Sequence, residues 1–407
     1  MHDPRFWFGG KEVMRSSGIA ALSLLVMGNT LIMGHPAALA QNISSGPTVY
    51  ATSFSPRPHA GTMADPWPGS AVTSAINSLP ESGGTVIVND GVWLYDSQQR
   101  IGRGNFTLQG TSLAANLIFT AGSLAIGTGA NVYNVTISTL TIDQSRAALN
   151  VPQAIQLWDC NSCEVSDNFF YGHSNDSIAV LITFGGSSGR ILRNTFASRQ
   201  AGGNQLQINP FGLTYAPGNP TSSGFVISSN KFDSVGILLI GTSNLHVTNN
   251  YITNQTLGDF PGILFTGTAG IITSNLLIDY NTIDNTPGGQ GAVLTGMEQD
   301  PGLAGVIQNI TIDHNTLRAT DSTIGANEYD SRCLATCSDL SQTYNIQITN
   351  NTLQSQNNPS IIDISGGGSG LVDGAWIDGN VLSNTGGRQN QIRQDDHSHN
   401  ISVGSTL

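Results

Sequence analysis

The chain has 407 residues, of which 48 are glycine and only 10% are charged, and its formal net charge is −12. An acidic chain whose only lysine beyond residue 40 is Lys231 is a poor partner for nucleic-acid phosphates, so that class is excluded. Abundant Gly, Asn, Ser and Thr with so few charges argues against a helical protein and for many short strands joined by turns.

Residues 1–40 read as an export signal. Lys11 and Arg15 supply the basic region, residues 19–33 the apolar run, and Ala38-Leu39-Ala40 before Gln41 the small-residue cleavage site. Met14, directly before Arg15, is the more natural start of such a signal. Gly28, Asn29 and Thr30 interrupt the apolar run, which is short for a membrane span, and no later segment is apolar enough for one. Signal removal deletes three bases and two acids, taking the net charge to −13. The protein is therefore expected to be secreted or periplasmic.

Residues 41–100 are expected to form a lead-in and an N-terminal cap. Ser70 is placed to cap a short helix carrying Val72, Ile76 and Leu79 on one face, stopped by Pro80. A strand over 85–88, a turn at Asp90-Gly91 and an apolar segment over 92–94 follow. A helix followed by a strand would cover the open first coil of a solenoid, whose bare strand edges otherwise invite pairing.

The rest of the chain, 101–407, repeats one phrase, apolar-x-x-Asn-x-apolar. It occurs as Val165/Asn168/Phe170, Ile191/Asn194/Phe196, Ile227/Asn230/Phe232 and Val247/Asn250/Ile252. It continues as Ile278/Asn281/Ile283, Ile312/Asn315/Leu317, Ile348/Asn351/Leu353 and Ile377/Asn380/Leu382. The intervals between the asparagines are 26, 36, 20, 31, 34, 36 and 29 residues. A fixed phrase at variable intervals fits stacked coils whose loops differ in length. Between the phrases lie short apolar strands that often open on Gly, at 178–182, 236–240, 262–265 and 361–364. Three short strands per coil is the arithmetic of a parallel β-helix, here of about 10–11 coils. Stacking would bring the eight asparagines about 4.8 Å apart, in an internal ladder of side-chain amides.

The helix, the Gly83-Gly84-Thr85-Val86 strand opening and the Asn-turn coils together resemble the pectate-lyase-like superfamily, over residues 60–407. The resemblance implies an all-β protein, a right-handed single-stranded parallel β-helix with a short N-terminal capping helix. It also implies action on polysaccharides, although the superfamily spans lyases, hydrolases, esterases, epimerases and adhesins. The chain lacks the Gly-His-Gly and Arg-Ile-Lys motifs of the polygalacturonase-like branch, and the arginine-and-proline signature of the main pectate lyase branch.

Cys160 and Cys163 are separated by two residues, Cys333 and Cys337 by three. Such spacing suits zinc in a reducing compartment; the export signal favours two local disulfides.

Candidate chemistry lies where polar residues enter the Gly-led strands. These are His173 and Asp176 before Ile178, Arg199 before Leu206, Asp233 before Ile237 and Asp259 before Ile263. Acids on neighbouring coils would stand about 5 Å apart, the separation of a retaining glycosidase pair. They could instead hold a calcium ion bridging an anionic sugar, calcium being the one cofactor the residues suggest. Elimination needs a base for the proton alpha to a uronate carboxylate and a cation for the developing charge, for which His173 and Arg199 are the candidates. Long connections at 209–223, 295–308 and 326–343 would wall a groove, with Phe211, Tyr215 and Tyr329 as sugar platforms. The expected function is cleavage of a polysaccharide, by β-elimination ahead of hydrolysis; the alternative is a non-catalytic extracellular glycan-binding protein.

Overall fold

The computed structural model describes residues 46–127, 131–147, 153–172, 178–183, 185–198, 204–208, 221–253, 261–266, 271–285, 291–295, 305–319, 323–326, 342–356, 361–364, 371–385 and 392–406. All of them belong to one compact unit, Asn42–Leu407. The chain winds as a right-handed parallel β-helix. Its described strands form three long sheets, of 14, 12 and 11 strands, here called A, B and C. The chain visits A, then B, then C, and returns to A one level on. Eleven complete turns run from the strands Gly84–Val88, Gly91–Tyr95 and Gln99–Ile101 to Leu371–Asp378, Val381–Asn384 and Ile392–Gln394. Each strand pairs in parallel with its counterpart one coil away, as in Ile227 with Val247 and Ile278 with Ile312.

The sheets begin before residue 101. Thr48–Tyr50 opens sheet A and Trp67–Pro68 opens sheet B, and the helix Gly69–Ser78 takes the place of a sheet C strand in that first, partial turn. Ala71, Val72, Ala75 and Ile76 point into the core, so the helix closes the end of the stack. Ser70 is not the cap. Pro68, in extended conformation, precedes the first helical residue, and no side chain bonds the free N–H groups. The start is dictated by packing: a Cβ on Gly69 would lie 2.8 Å from the ring of buried Tyr95, so Gly69 alone lets the first turn approach.

The coil interior is apolar and stacked in like-on-like columns. Phe170, Phe196 and Phe232 lie face to face with ring centroids 4.7 Å apart, followed in register by Ile252, Ile283, Leu317, Leu353 and Leu382.

At the turn from sheet A to sheet B the eight phrase asparagines are buried and hydrogen-bonded coil to coil. Asn168 Nδ2 donates to Asn194 Oδ1 and Asn194 Nδ2 to Asn230 Oδ1, each at 3.1 Å, and Asn230 Nδ2 to Asn250 Oδ1 at 2.9 Å. The chain of amides runs on from Asn250 to Asn281, Asn315 to Asn351 and Asn351 to Asn380, each at 3.0 Å. At its two ends Asn168 Oδ1 accepts the Leu140 N–H (3.0 Å), and Asn380 Nδ2 donates to the carbonyl of Ile348 (2.8 Å). Asn281 is representative of the interior rungs. Its Nδ2 donates to Asn315 Oδ1 (3.1 Å) and to the carbonyl of Val247 (2.8 Å), while its Oδ1 accepts both the N–H and Nδ2–H of Asn250, each at 3.0 Å. Each amide thus satisfies backbone groups that the corner would leave unpaired.

The residue before each ladder asparagine has positive φ: Asp167, Arg193, Ser229, Asn249, Tyr280, His314, Asn350 and Gly379, with Thr139 at the same corner one coil earlier. A second positive-φ column stands six residues before the ladder, within the sheet A strands, and includes Asn244, Asn275, Asn309, Asn345 and Gly374. Its asparagines form an exposed ladder of their own, Nδ2 to Oδ1 at 3.0, 3.0 and 3.2 Å between successive coils. The second bend thus falls inside each later strand of sheet A and divides it into two short paired runs, the second of which ends at the ladder corner.

Cys160 and Cys163 form a disulfide at the edge of the core. Cys333 and Cys337 lie outside the described residues.

Candidate functional site

Of the residues that the sequence nominates, His173, Asp176, Arg199, Asp259, Phe211, Tyr215 and Tyr329 lie outside the described residues. In chain order the first four fall between a strand of sheet B and the next strand of sheet C, and the three aromatics between a strand of sheet C and the next strand of sheet A. Asp233 is described. It closes the sheet B strand Lys231–Asp233, in register with Ala197 and Thr253, and its Oδ1 accepts from Ser234 Oγ at 3.1 Å. The coil-to-coil neighbours of Asp233 are therefore an alanine and a threonine, not acids. The ladder asparagines Asn168, Asn194, Asn230, Asn250, Asn281, Asn315, Asn351 and Asn380 are at most 2% exposed, so they hold the corner and present nothing to a ligand.

Sheet C has an outward face that is polar at both ends and largely apolar between them. Ile155 and Leu157 join the core, which turns Gln156 between them outward, in register with Ala125 and Leu181. Gln156 is nearly sealed from solvent and sits at the centre of an amide network. Its Nε2 donates to Ser123 Oγ (3.1 Å) and Gln153 Oε1 (3.2 Å), its Oε1 accepts from Trp158 Nε1 (2.9 Å), and Gln98 Nε2 reaches Ser123 Oγ at 3.4 Å. Thr183, in register with Trp158, is fully buried, and its hydroxyl finds no hydrogen-bond partner among the described residues. Further on, Leu181 and Leu264 occupy the outward column yet are buried without joining the core. At the far end the buried Asp363 carboxylate pairs with Arg393 Nη1 at 3.1 Å, on the strand beside it. Buried amides and an indole on the outside of a sheet are unusual where only solvent is to be faced, since each buried polar group must be hydrogen-bonded to be tolerated.

The outward face of sheet A carries a second concentration of titratable groups. Asp279 and Asp313 are in register on adjacent strands, and their carboxylates are drawn to opposite sides, Asp279 towards the preceding coil and Asp313 towards the following one. Each is held by an imidazole: Asp279 Oδ1 by His246 Nε2 at 2.8 Å, Asp313 Oδ2 by His314 Nδ1 at 2.6 Å. Asp313 Oδ1 also accepts from Thr349 Oγ1 (2.6 Å) and Asn350 Nδ2 (3.0 Å). Partial burial raises the Asp313 pKa, but the bonds from Thr349, His314 and Asn350 outweigh it and hold the carboxyl below its ordinary value. A carboxylate so held is a hydrogen-bond acceptor and not a proton donor at neutral pH, so Asp313 does not suit the general acid of glycoside hydrolysis. His314 in turn stacks on exposed Tyr280, centroids 5.2 Å apart. The signal for this pair was present in the chain as Ile-Asp-x-Asn at 278–281 and 312–315, where the residue after an inward Ile must face out.

Among the described residues no group of three or more His, Cys, Asp or Glu is placed to hold a metal ion, and no helix is long and apolar enough to cross a membrane.

No family model and no curated protein matches the chain. Solved structures do. The chain is similar to the exopolygalacturonase of Thermotoga maritima, with a TM-score of 0.66 and 12% identity over 89% of this chain and 91% of that one. It is similar to the surface adhesin PfbA of Streptococcus pneumoniae, with a TM-score of 0.60 and 16% identity over 88% and 90%. It is likewise similar to the A-module of the Azotobacter vinelandii mannuronan C-5 epimerase AlgE4, with a TM-score of 0.55 and 14% identity over 88% and 95%. Identities this low speak to architecture alone, and the architecture is shared: the chain has the right-handed parallel β-helix fold of these solved structures.

Proposed function

We propose that this chain is an exported protein that binds a polysaccharide across the outward face of sheet C and cleaves it. The observation that carries the reading is the hydrogen-bonded network on that face, in which buried Ser123, Gln153 and Gln156 back the half-buried indole of Trp158 and the exposed amide of Gln98. Amide groups backed by an indole match the hydroxyls and the apolar ring faces of a sugar. In the chain, the segments that hold His173, Asp176 and Arg199 lead into strands of this same sheet. Support of a broader kind comes from what proteins of the same fold do: an exopolygalacturonase, a mannuronan epimerase and a GH87 α-1,3-glucanase all act on polysaccharides. Export is supported by the Cys160–Cys163 disulfide, a bond that persists in oxidising compartments.

Two chemistries fit. Elimination would use His173, oriented by Asp176, as base and Arg199 against the developing negative charge. Hydrolysis would use two of Asp176, Asp233 and Asp259, and the same acids could recruit calcium to an anionic sugar. The charge of the described surface favours hydrolysis: in the outward column of sheet C, cations stand only at its two ends, Arg100 and Arg393. The similarity to PfbA, a surface adhesin, favours a second reading, in which the same face binds glycan without cutting it.

The test is incubation of the protein with a panel of acidic and neutral polysaccharides, with and without calcium, following new reducing ends and the ultraviolet absorbance of unsaturated products. Reducing ends without absorbance establish hydrolysis, and both together establish elimination. Neither across the panel overturns cleavage and leaves binding.

A further inference from the structure

The last coils of sheet A carry a feature that the sheet C reading does not use. Trp376 lies between core residues Ala375 and Ile377, so its indole projects outward, and it is 51% exposed. It is the only exposed tryptophan among the described residues. Gln347 and Ser402 flank it in register on the two neighbouring strands, both exposed. Strand spacing puts them about 4.8 Å to either side.

Beside the indole the exposed asparagine ladder breaks. Asn244, Asn275, Asn309 and Asn345 follow one another coil by coil, and the next position in the column is Gly374, two residues before Trp376. Gly374 has the φ of +81° that the column requires, and a Cβ there would lie 3.0 Å from Asn345 Oδ1. That carbonyl oxygen therefore borders a notch where other coils carry a side chain. The notch is bordered on the next coil by Asn400, whose Nδ2 donates to Asp373 Oδ1 at 2.6 Å. Tyr344, in register with Asp373, donates its hydroxyl to Gln342 at 2.8 Å. An indole face, an adjoining notch, and amide, hydroxyl and carboxylate groups around it form a platform for a pyranose ring, whose CH face stacks on the indole while its hydroxyls meet the polar rim.

Charge selects among glycans. The sheet A strands Gln342–Thr349, Leu371–Asp378 and Ser398–Val403 contain Asp373 and Asp378 but no lysine or arginine. A polyuronate would find two carboxylates and no fixed cation there, so the surface rejects it and accepts a chain without carboxylates. We infer that Trp376, with the notch at Gly374 and the rim of Gln347, Asp373 and Ser402, is a second glycan-binding site, on a different sheet from the proposed cleft and specific for carboxylate-free glycans. It rests on the polysaccharide reading only for the class of ligand.

The experiment is electrophoresis of the full chain through native gels containing a neutral β-glucan, a galactomannan or polygalacturonate, with melting temperatures measured in parallel. The wild type should be retarded by at least one neutral polymer. Trp376→Ala should bind at least tenfold more weakly, and Trp376→Phe, which keeps a ring, should retain part of the retardation. Gly374→Asn supplies a second variant that does not touch the indole. Asparagine tolerates the positive φ better than other side chains, and Asn345 Oδ1 must shift by a few tenths of an ångström to admit its Cβ, so this variant should fold with at most a modestly lower melting temperature while filling the notch and weakening binding. The inference is overturned if no neutral polymer retards the protein, if both Trp376→Ala and Gly374→Asn are retarded like the wild type, or if polygalacturonate retards the wild type through Trp376 as strongly. Cleavage is read separately, as product formation. Its absence with binding intact would defeat the proposed function and leave this site standing.

Discussion

Asn281 Nδ2 and Asn315 Oδ1 are 3.1 Å apart across two coils, and the same carbonyl oxygen accepts the Asn281 backbone N–H at 2.9 Å. One buried amide therefore serves its own coil and the next. Replacing Asn281 with alanine strips the Val247 carbonyl and the Asn250 N–H of their partners at once. Each orphaned buried group costs about 1–3 kcal/mol, so a loss of roughly 3–5 kcal/mol is expected from denaturant unfolding. Asn281→Asp is more telling. The new carboxyl is buried, so its folded pKa lies above the unfolded value, and its penalty grows as pH rises from the unfolded pKa towards the folded one. The variant should be closest to wild type in acid and furthest from it at neutral pH. A pH-independent deficit would show that the amide acts only by filling space.

That ladder could be read from the chain because a single geometry, repeated in every coil from Asn168 through Asn194, Asn230 and Asn351 to Asn380, demands asparagine there. The positions beside it are less constrained. At the bend itself the chain accepts Thr139, Asp167, Arg193, Tyr280 or His314, so no residue type betrays the left-handed turn. Asp279 and Asp313 were hidden for a related reason: their outward column also holds Ser228, Thr248 and Thr349, and its meaning rests on register across coils. Gln153 and Gln156 were missed because an apolar strand with two glutamines offers no period to notice. The helix start at Gly69 depended on the distant ring of Tyr95, which no local rule for caps contains.

Thr139 is the bend residue least suited to its backbone. It holds φ of +58° with a β-branched side chain, where other coils use residues that tolerate the left-handed region better, such as Asn249 and Asn350. Thr139→Asn should therefore stabilise the fold by about 1 kcal/mol, the cost of a left-handed conformation for an ordinary residue. A raised melting temperature is the expected result. An unchanged or lower one would mean that the threonine side chain makes compensating contacts.

Asp313 predicts how the fold answers to acid. Its folded pKa is lowered, so the stabilisation it gives is complete above the unfolded carboxylate value of about 4 and is lost as pH falls through the folded one. Melting temperatures of the wild type should thus fall more steeply between about pH 5 and pH 2 than those of Asp313→Asn. Thr349→Val, which removes the 2.6 Å bond to Oδ1, should lie between the two. Parallel curves for wild type and Asp313→Asn would assign the acid sensitivity to other carboxylates.

Phe196 tests whether the solenoid unfolds as one body. It is fully buried and stacks on Phe170 and Phe232 at 4.7 Å on either side, so truncation opens a cavity that spans three coils. Phe196→Ala should cost about 3–5 kcal/mol, with the aromatic stacking on both faces placing it at the upper end. In a stack where each coil touches only its neighbours, such a wound falls on two interfaces and leaves the others intact. Hydrogen exchange should then show protection lost first in the strands around Phe169–Gly172, Thr195–Ser198 and Lys231–Asp233, while the strands from Ile272 onward keep theirs until global unfolding. Uniform loss of protection along the whole chain would instead show that the two asparagine ladders couple the coils strongly enough to make the solenoid a single cooperative unit.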